Sequence, residues 1–170
     1  MNLVEVYNAT RVAIDEEAVA ELVDRVLAAE GVRNAEVSVE LVGERRIREL
    51  NREHRGKDQV TDVLSFPLED FDEGPETWDE DDESEAGGAD DGDAAPPRLL
   101  GDVVVCARQA LRQARADDLP EAFELAVLLV HGTLHLLGHD HETDAGQMAL
   151  RQAEVLELVS WEGLLVTPPR

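Results

Sequence analysis

Leu99-Leu100-Gly101-Asp102-Val103-Val104-Val105-Cys106 is a near-continuous apolar run, bounded upstream by Ala94-Ala95-Pro96-Pro97. A run of this length with β-branched residues fits a central strand covered on both faces. It also divides the chain. Upstream, residues 2–8 place Val4 and Val6 on one side of a short strand. Ala35, Val37, Val39 and Leu41 alternate with Glu36, Ser38 and Glu40, the pattern of a half-buried strand. Val63, Leu64 and Phe66 suit a further short strand ended by Pro67. Two helices lie among these strands. Asp15 precedes Val19, Leu22, Val23 and Val26 at helical spacing, with Gly31 as the stop, and residues 44–54 turn Ile47, Leu50 and Asn51 inward.

Downstream of Cys106 the reading is helical: residues 107–116, then a helix with Pro120 in its first turn and Gly138 just past its end at Leu137. Asp144 and Gln147 resemble a capping pair for a last helix reaching about Ser160, with Met148, Val155, Leu156 and Val159 as its apolar stripe. Strands come mainly first and helices mainly last. Four strands and five helices in that order argue an α+β fold rather than a regular doubly wound sheet. The length, 170 residues, is that of one domain, 1–170.

Between the third and fourth strands stands a segment of another kind. Residues 69–93 hold 14 acids and no base, broken by Gly74, Pro75, Gly87, Gly88 and Gly92. No period of 2 or 3.6 survives there, so 69–96 reads as a long acidic, disordered insertion. The whole chain carries 39 acids and 15 bases, net −24, and 14 of the bases are Arg against a single Lys57. This excludes an overall basic coat for nucleic acid, though not a local basic patch. Acid excess with one lysine reads as solubility in high salt, a halophilic habit, against the plainer reading of an ordinary acidic protein. One cysteine, Cys106, excludes a disulfide framework and a CxxC metal site. The stretch 125–137 is too short and too polar to span a bilayer. The N-terminal stretch lacks a basic region followed by an apolar run, so no secretory signal is expected and the expected location is cytoplasmic.

The chemistry concentrates in His131-Gly-Thr-Leu-His135-Leu-Leu-Gly138-His139-Asp140-His141. His131 and His135, four apart on a helix, share one face a turn apart. Gly138 permits a sharp stop, and the turn brings His141 back toward the same point. Three imidazoles leave a fourth tetrahedral position open, the layout of a catalytic zinc site with one Zn2+ per chain. His139 is expected as a pocket or ligand-supporting residue. Asp140 is placed to accept a ligand's ring N–H, or is a plain turn residue. The spacing is also that of metzincin peptidases, in which a Glu general base follows the first His. Here Gly132 stands there, which demotes peptidase to an alternative.

Three stretches together resemble the YbeY endoribonucleases, also called rRNA maturation factors: Leu50-Asn-Arg-Glu-His-Arg55-Gly-Lys57-Asp with Thr61-Asp-Val-Leu-Ser-Phe-Pro67; Leu100-Gly-Asp-Val-Val-Val105; and the His array, close to the family's HGxLHLxGxDH. The likeness covers about residues 3–160. It implies a small mixed sheet with the ligand helix packed near it, and a single-strand-specific, metal-dependent endoribonuclease. The implied role is maturation of the 16S rRNA 3′ end and ribosome quality control. His131, His135 and His141 match the zinc ligands, and Arg55 matches an Arg of the catalytic cleft. Ribosomal subunits and assembly factors are the implied partners, with neither DNA nor membrane. Two departures stand out: His139 where the family commonly has Tyr, and the length of the acidic insertion.

Six of the 15 bases fall in 13 residues: Arg45, Arg46, Arg48, Arg52, Arg55 and Lys57. This window is a candidate phosphate track in an acidic protein, against the plainer reading of a solvated helix face with pairs such as Arg45–Glu49. Arg55 could steady charge on a phosphorane oxygen, with either water or the ribose 2′-OH as nucleophile. A non-catalytic ribosome assembly factor with structural zinc is the third reading.

Overall fold

The computed structural model describes residues 1–68, 96–140 and 145–166. The acidic insertion, except for its last residue, lies outside these, as do His141, Asp144 and the Pro168-Pro169 end. The described elements are β1 (Leu3–Asn8), α1 (Glu16–Ala29), β2 (Ala35–Val42), α2 (Glu44–Arg55), β3 (Val63–Pro67), β4 (Arg98–Cys106), α3 (Ala107–Ala116), α4 (Glu121–Leu136) and α5 (Gln147–Leu158).

The strand order is β1-β2-β4-β3. The first two pairs are parallel, and β3 runs antiparallel to β4 with Val63 opposite Val105 and Pro67 opposite Gly101. The apolar run quoted above is therefore an interior strand, as expected of a segment with Leu100, Val103, Val104, Val105 and Cys106 all buried. Register slips beside Glu36 and Val37, which face Leu99 and Gly101, so Leu100 is the extra residue of a bulge. The sheet is mixed, and the fold is α+β with five helices.

Helices cover both faces unequally. On one face α1 buries Val19, Leu22, Val23, Val26 and Leu27 against Val37, Val39 and Val103. The Asp15 side chain opens this helix by accepting from the Ala18 N–H at 3.1 Å. Beside it, α4 is apolar nearly all round, burying residues from Leu125 to Leu136 between the sheet, α1, α3 and α5. The smaller opposite face is closed by α2, whose Ile47 and Leu50 pack on Val42, Leu64, Val104 and Cys106. Cys106 is fully buried in this smaller core, and burial pushes its thiol pKa up, the environment of a packing residue. Each fully buried aliphatic side chain stabilises the fold by about 1.5–3 kcal/mol, so the larger face dominates stability.

Two helix starts differ from expectation. Pro120 is the N-cap of α4, one position before its first turn. The N-cap of α5 is Gly146 at φ +97°, and the Gln147 carboxamide accepts from the Ala145 N–H at 2.6 Å. Gln147 thus serves its own turn, and Asp144, the other half of the expected capping pair, lies outside the described residues. Helix α5 also ends at Leu158, earlier than expected. Among the described residues no helix is long and apolar enough to cross a membrane.

Candidate active site

Because α4 is buried on most sides, its exposed stripe is narrow. His131 and His135 lie on that stripe, half-buried, with Gly132, Thr133 and Leu134 buried between them. Their Nε2 atoms stand 3.1 Å apart and their rings meet edge to face at 4.6 Å. Metal–nitrogen distances of 2.0–2.1 Å around a tetrahedral ion would separate two ligand atoms by about 3.4 Å. The two nitrogens are therefore already near ligating positions, and the donor set fits a divalent cation that accepts imidazole. The Nδ1 of His131 lies 2.9 Å from Oε1 of Gln152 on α5.

The end of α4 aims the next residues. Gly138, at φ +89°, lets its N–H donate to the His135 carbonyl while the His139 N–H donates to Leu134, both at 3.1 Å. This is the two-bond stop of a Schellman turn, and it reverses the chain before Asp140. His141 lies outside the described residues. Among the described residues no cluster of three His, Cys, Asp or Glu side chains completes a metal set.

Facing the two imidazoles is a cleft of about 560 Å3, lined by His54, Arg55, residues 61–67, His131 and His135. Its far wall is the C-terminal end of α2. Buried Asn51 pins the following segment by donating from Nδ2 to the Gln59 carbonyl at 2.9 Å. The His54 ring meets Phe66 edge-on at 4.9 Å. Arg55, exposed at the helix end, thus reaches the same cleft as the imidazoles. The floor is β3, where Ser65 Oγ donates to the Gly132 carbonyl at 2.9 Å. Asp62 Oδ1 accepts from the Val63 N–H at 2.8 Å.

Gly132 is a close approach of helix to sheet. A Cβ there would come within 2.6 Å of Val103 Cγ1 and 3.2 Å of Val63 Cγ2. The position that carries the general base in metzincins therefore faces the sheet here, with no room for a glutamate.

The other expected residues spread out. Arg45 and Arg46 pair with Glu49 at 3.5 and 3.6 Å, and Arg48 pairs with Asp58 at 2.9 Å. That guanidinium holds the Asp58 carboxyl below its ordinary pKa. Ten residues of helix put Arg45 about 15 Å along the axis from Arg55, so α2 carries its bases away from the cleft. Arg52 and Lys57 are exposed near the cleft end. His139, expected as a pocket or ligand-supporting residue, is not among the residues that line this cleft. Its Nε2 lies 3.2 Å from Glu30 Oε2 at the end of α1, because the Schellman turn directs it to that side. Gln152, His54 and Ser65 were not anticipated. The last two sit inside quoted motifs, whereas Gln152 lies 21 residues beyond His131 on another helix and carried no local signal.

An α+β domain that opens paired imidazoles and an arginine onto one cleft is of the type that metal-dependent hydrolases use. The family model described as Endoribonuclease YbeY matches residues 5–160. Relatives bearing the name Endoribonuclease YbeY include one from Anaeromyxobacter dehalogenans, 46% identical over 139 residues, covering 82% of this chain and 60% of the relative. Another, from Bacillus cytotoxicus, is 43% identical over 141 residues, covering 81% and 82%. A solution structure of a Thermotoga maritima protein superposes with a TM-score of 0.58 at 25% identity, covering 91% of this chain and 87% of that one. The chain belongs to the YbeY family. It spans about 60% of the length of the Anaeromyxobacter relatives.

Proposed function

We propose that this chain is a metal-dependent endoribonuclease that cuts single-stranded RNA, acting in 16S rRNA 3′-end maturation and late ribosome biogenesis. Family membership supports the reaction class. The observation that carries the site is the pair of Nε2 atoms 3.1 Å apart on the wall of a cleft that also holds Arg55. His131, His135 and His141 would hold one Zn2+, with Asp140 beside the third ligand. A bound divalent cation would supply Lewis-acid polarisation of the scissile phosphate and a more acidic attacking hydroxyl.

The chain's own residues do the rest. Arg55 engages the phosphate and offsets charge that builds on its oxygens. The backbone of β3, fixed from behind by Ser65 and Gly132, gives the RNA a rigid floor. Arg52 and Lys57 extend the positive wall, and Arg45, Arg46 and Arg48 form its outer, ion-paired end, contributing less to binding. The remaining expectations join this proposal: ribosomal subunit and assembly factors as partners, a cytoplasmic location, and an acidic surface suited to high salt.

The peptidase reading finds no support at Gly132, where a glutamate base does not fit. The test combines metal analysis of the purified chain with cleavage assays on single-stranded RNA and on casein. RNA cleavage abolished by His135→Ala, with casein untouched, is expected. Casein cleavage lost in that variant with RNA unaffected would reverse the reading. Arg55→Glu is expected to retain the metal and lose RNA cleavage; loss of both would make Arg55 a folding residue.

A further inference from the structure

Helix α5 places one polar side chain against the imidazole pair. Its apolar anchors are Met148 and Val155, both buried in the main core. Gln152, four residues after the first and three before the second, falls on the same face. Its neighbour Arg151 is held by the Glu30 carboxylate and donates to the Ala29 carbonyl at 2.9 Å. The backbone under Gln152 is therefore fixed, and its Oε1 reaches 2.9 Å from His131 Nδ1.

A carboxamide oxygen only accepts, and a neutral imidazole carries one N–H. The proton of His131 then belongs on Nδ1, which leaves the lone pair of Nε2 directed at His135. With the proton on Nε2 instead, that nitrogen could not ligate. We propose that Gln152 is a positioning residue: it holds His131 in the Nδ1–H tautomer and so prepares Nε2 to bind a divalent cation. The proposal rests on the metal reading of the site above, but its first measurement does not. Outer groups of this kind typically affect metal affinity by roughly 10–100-fold.

The experiment uses the full chain, stripped of metal and labelled with 15N. Long-range proton–nitrogen correlations of the His131 ring should show Nδ1 protonated and Nε2 bare. An Nε2–H tautomer would overturn the proposal outright, whether or not any variant folds. Titration with Co2+, read by its visible absorption, forms the second arm. Gln152→Leu should bind Co2+ roughly 10–100-fold more weakly, and Gln152→Glu, which keeps an acceptor, should restore binding. Equal Co2+ affinity in the parent and the leucine variant, or failure of the glutamate to rescue, would remove the positioning role alone. A parent chain with the Nδ1–H tautomer that binds no Co2+ would instead overturn the metal reading on which the proposal rests.

Discussion

Gly132 couples the chemistry of α4 to its packing. The methyl of an alanine there would meet Val103 Cγ1, and Val103 is fully buried and cannot swing aside. Gly132→Ala is expected to cost about 1–3 kcal/mol by overpacking, seen as a lower urea midpoint with unchanged slope. Two helical turns before His131, Glu124 feels the opposite constraint. Burial, then Asp117 and Asp62, push its carboxyl above the ordinary 4.5. The fold thus favours the protonated form, so stability falls as pH rises from the unfolded value through the raised folded one. Glu124→Gln should melt on the order of 1 °C higher at pH 7, with the difference vanishing below about pH 4. A variant that melts lower at pH 7 would refute this. At this scale the imidazole pair was legible because i, i+4 spacing is local. Gln152 and the reason for Gly132 were not, because each depends on a neighbour from another element.

Helix α5 is joined to the end of α1 by a small charged clamp. Glu30, largely buried, accepts from Arg151 and lies within hydrogen-bonding distance of His139. Arg151→Ala leaves that carboxylate short of a partner and should lower stability by about 1–2 kcal/mol, measured by urea unfolding. If the clamp also steadies α5 beneath Gln152, the same variant should bind Co2+ more weakly than the parent. Periodicity and stop signals located every strand and helix now seen among the described residues, since each is a local repeat of burial. Their arrangement was less legible. No local signal says that β4 inserts between β2 and β3, or that Leu100 bulges out of register. The start of α5 was misread for a related reason. Gln147 has the chemistry of a capping partner three residues into a helix, but it is the first residue of this one, because Gly146 takes the left-handed conformation and is the N-cap.

Charge is a property of the whole molecule, and its distribution matters more than its sum. Of the net −24, 14 acids fall between residues 69 and 93, while the densest bases ride on α2, of which only the C-terminal end borders the cleft. Strands β3 and β4 are antiparallel neighbours, and the Leu68 N–H donates to the Leu100 carbonyl at 3.0 Å. The chain therefore leaves and re-enters the sheet at adjacent points, and a short link can replace what lies between. Deleting residues 71–94 removes 12 acids and no base, bringing the net charge to −12. Cooperative melting should survive the deletion, and its loss would mean that the segment contributes to the fold. RNA binding should change in a salt-dependent way. The screening length is about 10 Å at 0.1 M salt and about 3 Å at 1 M. Repulsion of a phosphate chain by the acidic segment is thus felt at low salt and screened at high salt. The shortened chain should bind single-stranded RNA more tightly than the parent at 0.1 M KCl, and the two should converge near 1 M. A gap that persists at 1 M KCl would mean direct contact between the segment and RNA in place of a distant field. The parent's melting temperature should also rise as KCl approaches molar levels, because screening relieves acid repulsion over the folded surface; a flat or falling curve would count against the proposal of an acidic surface suited to high salt.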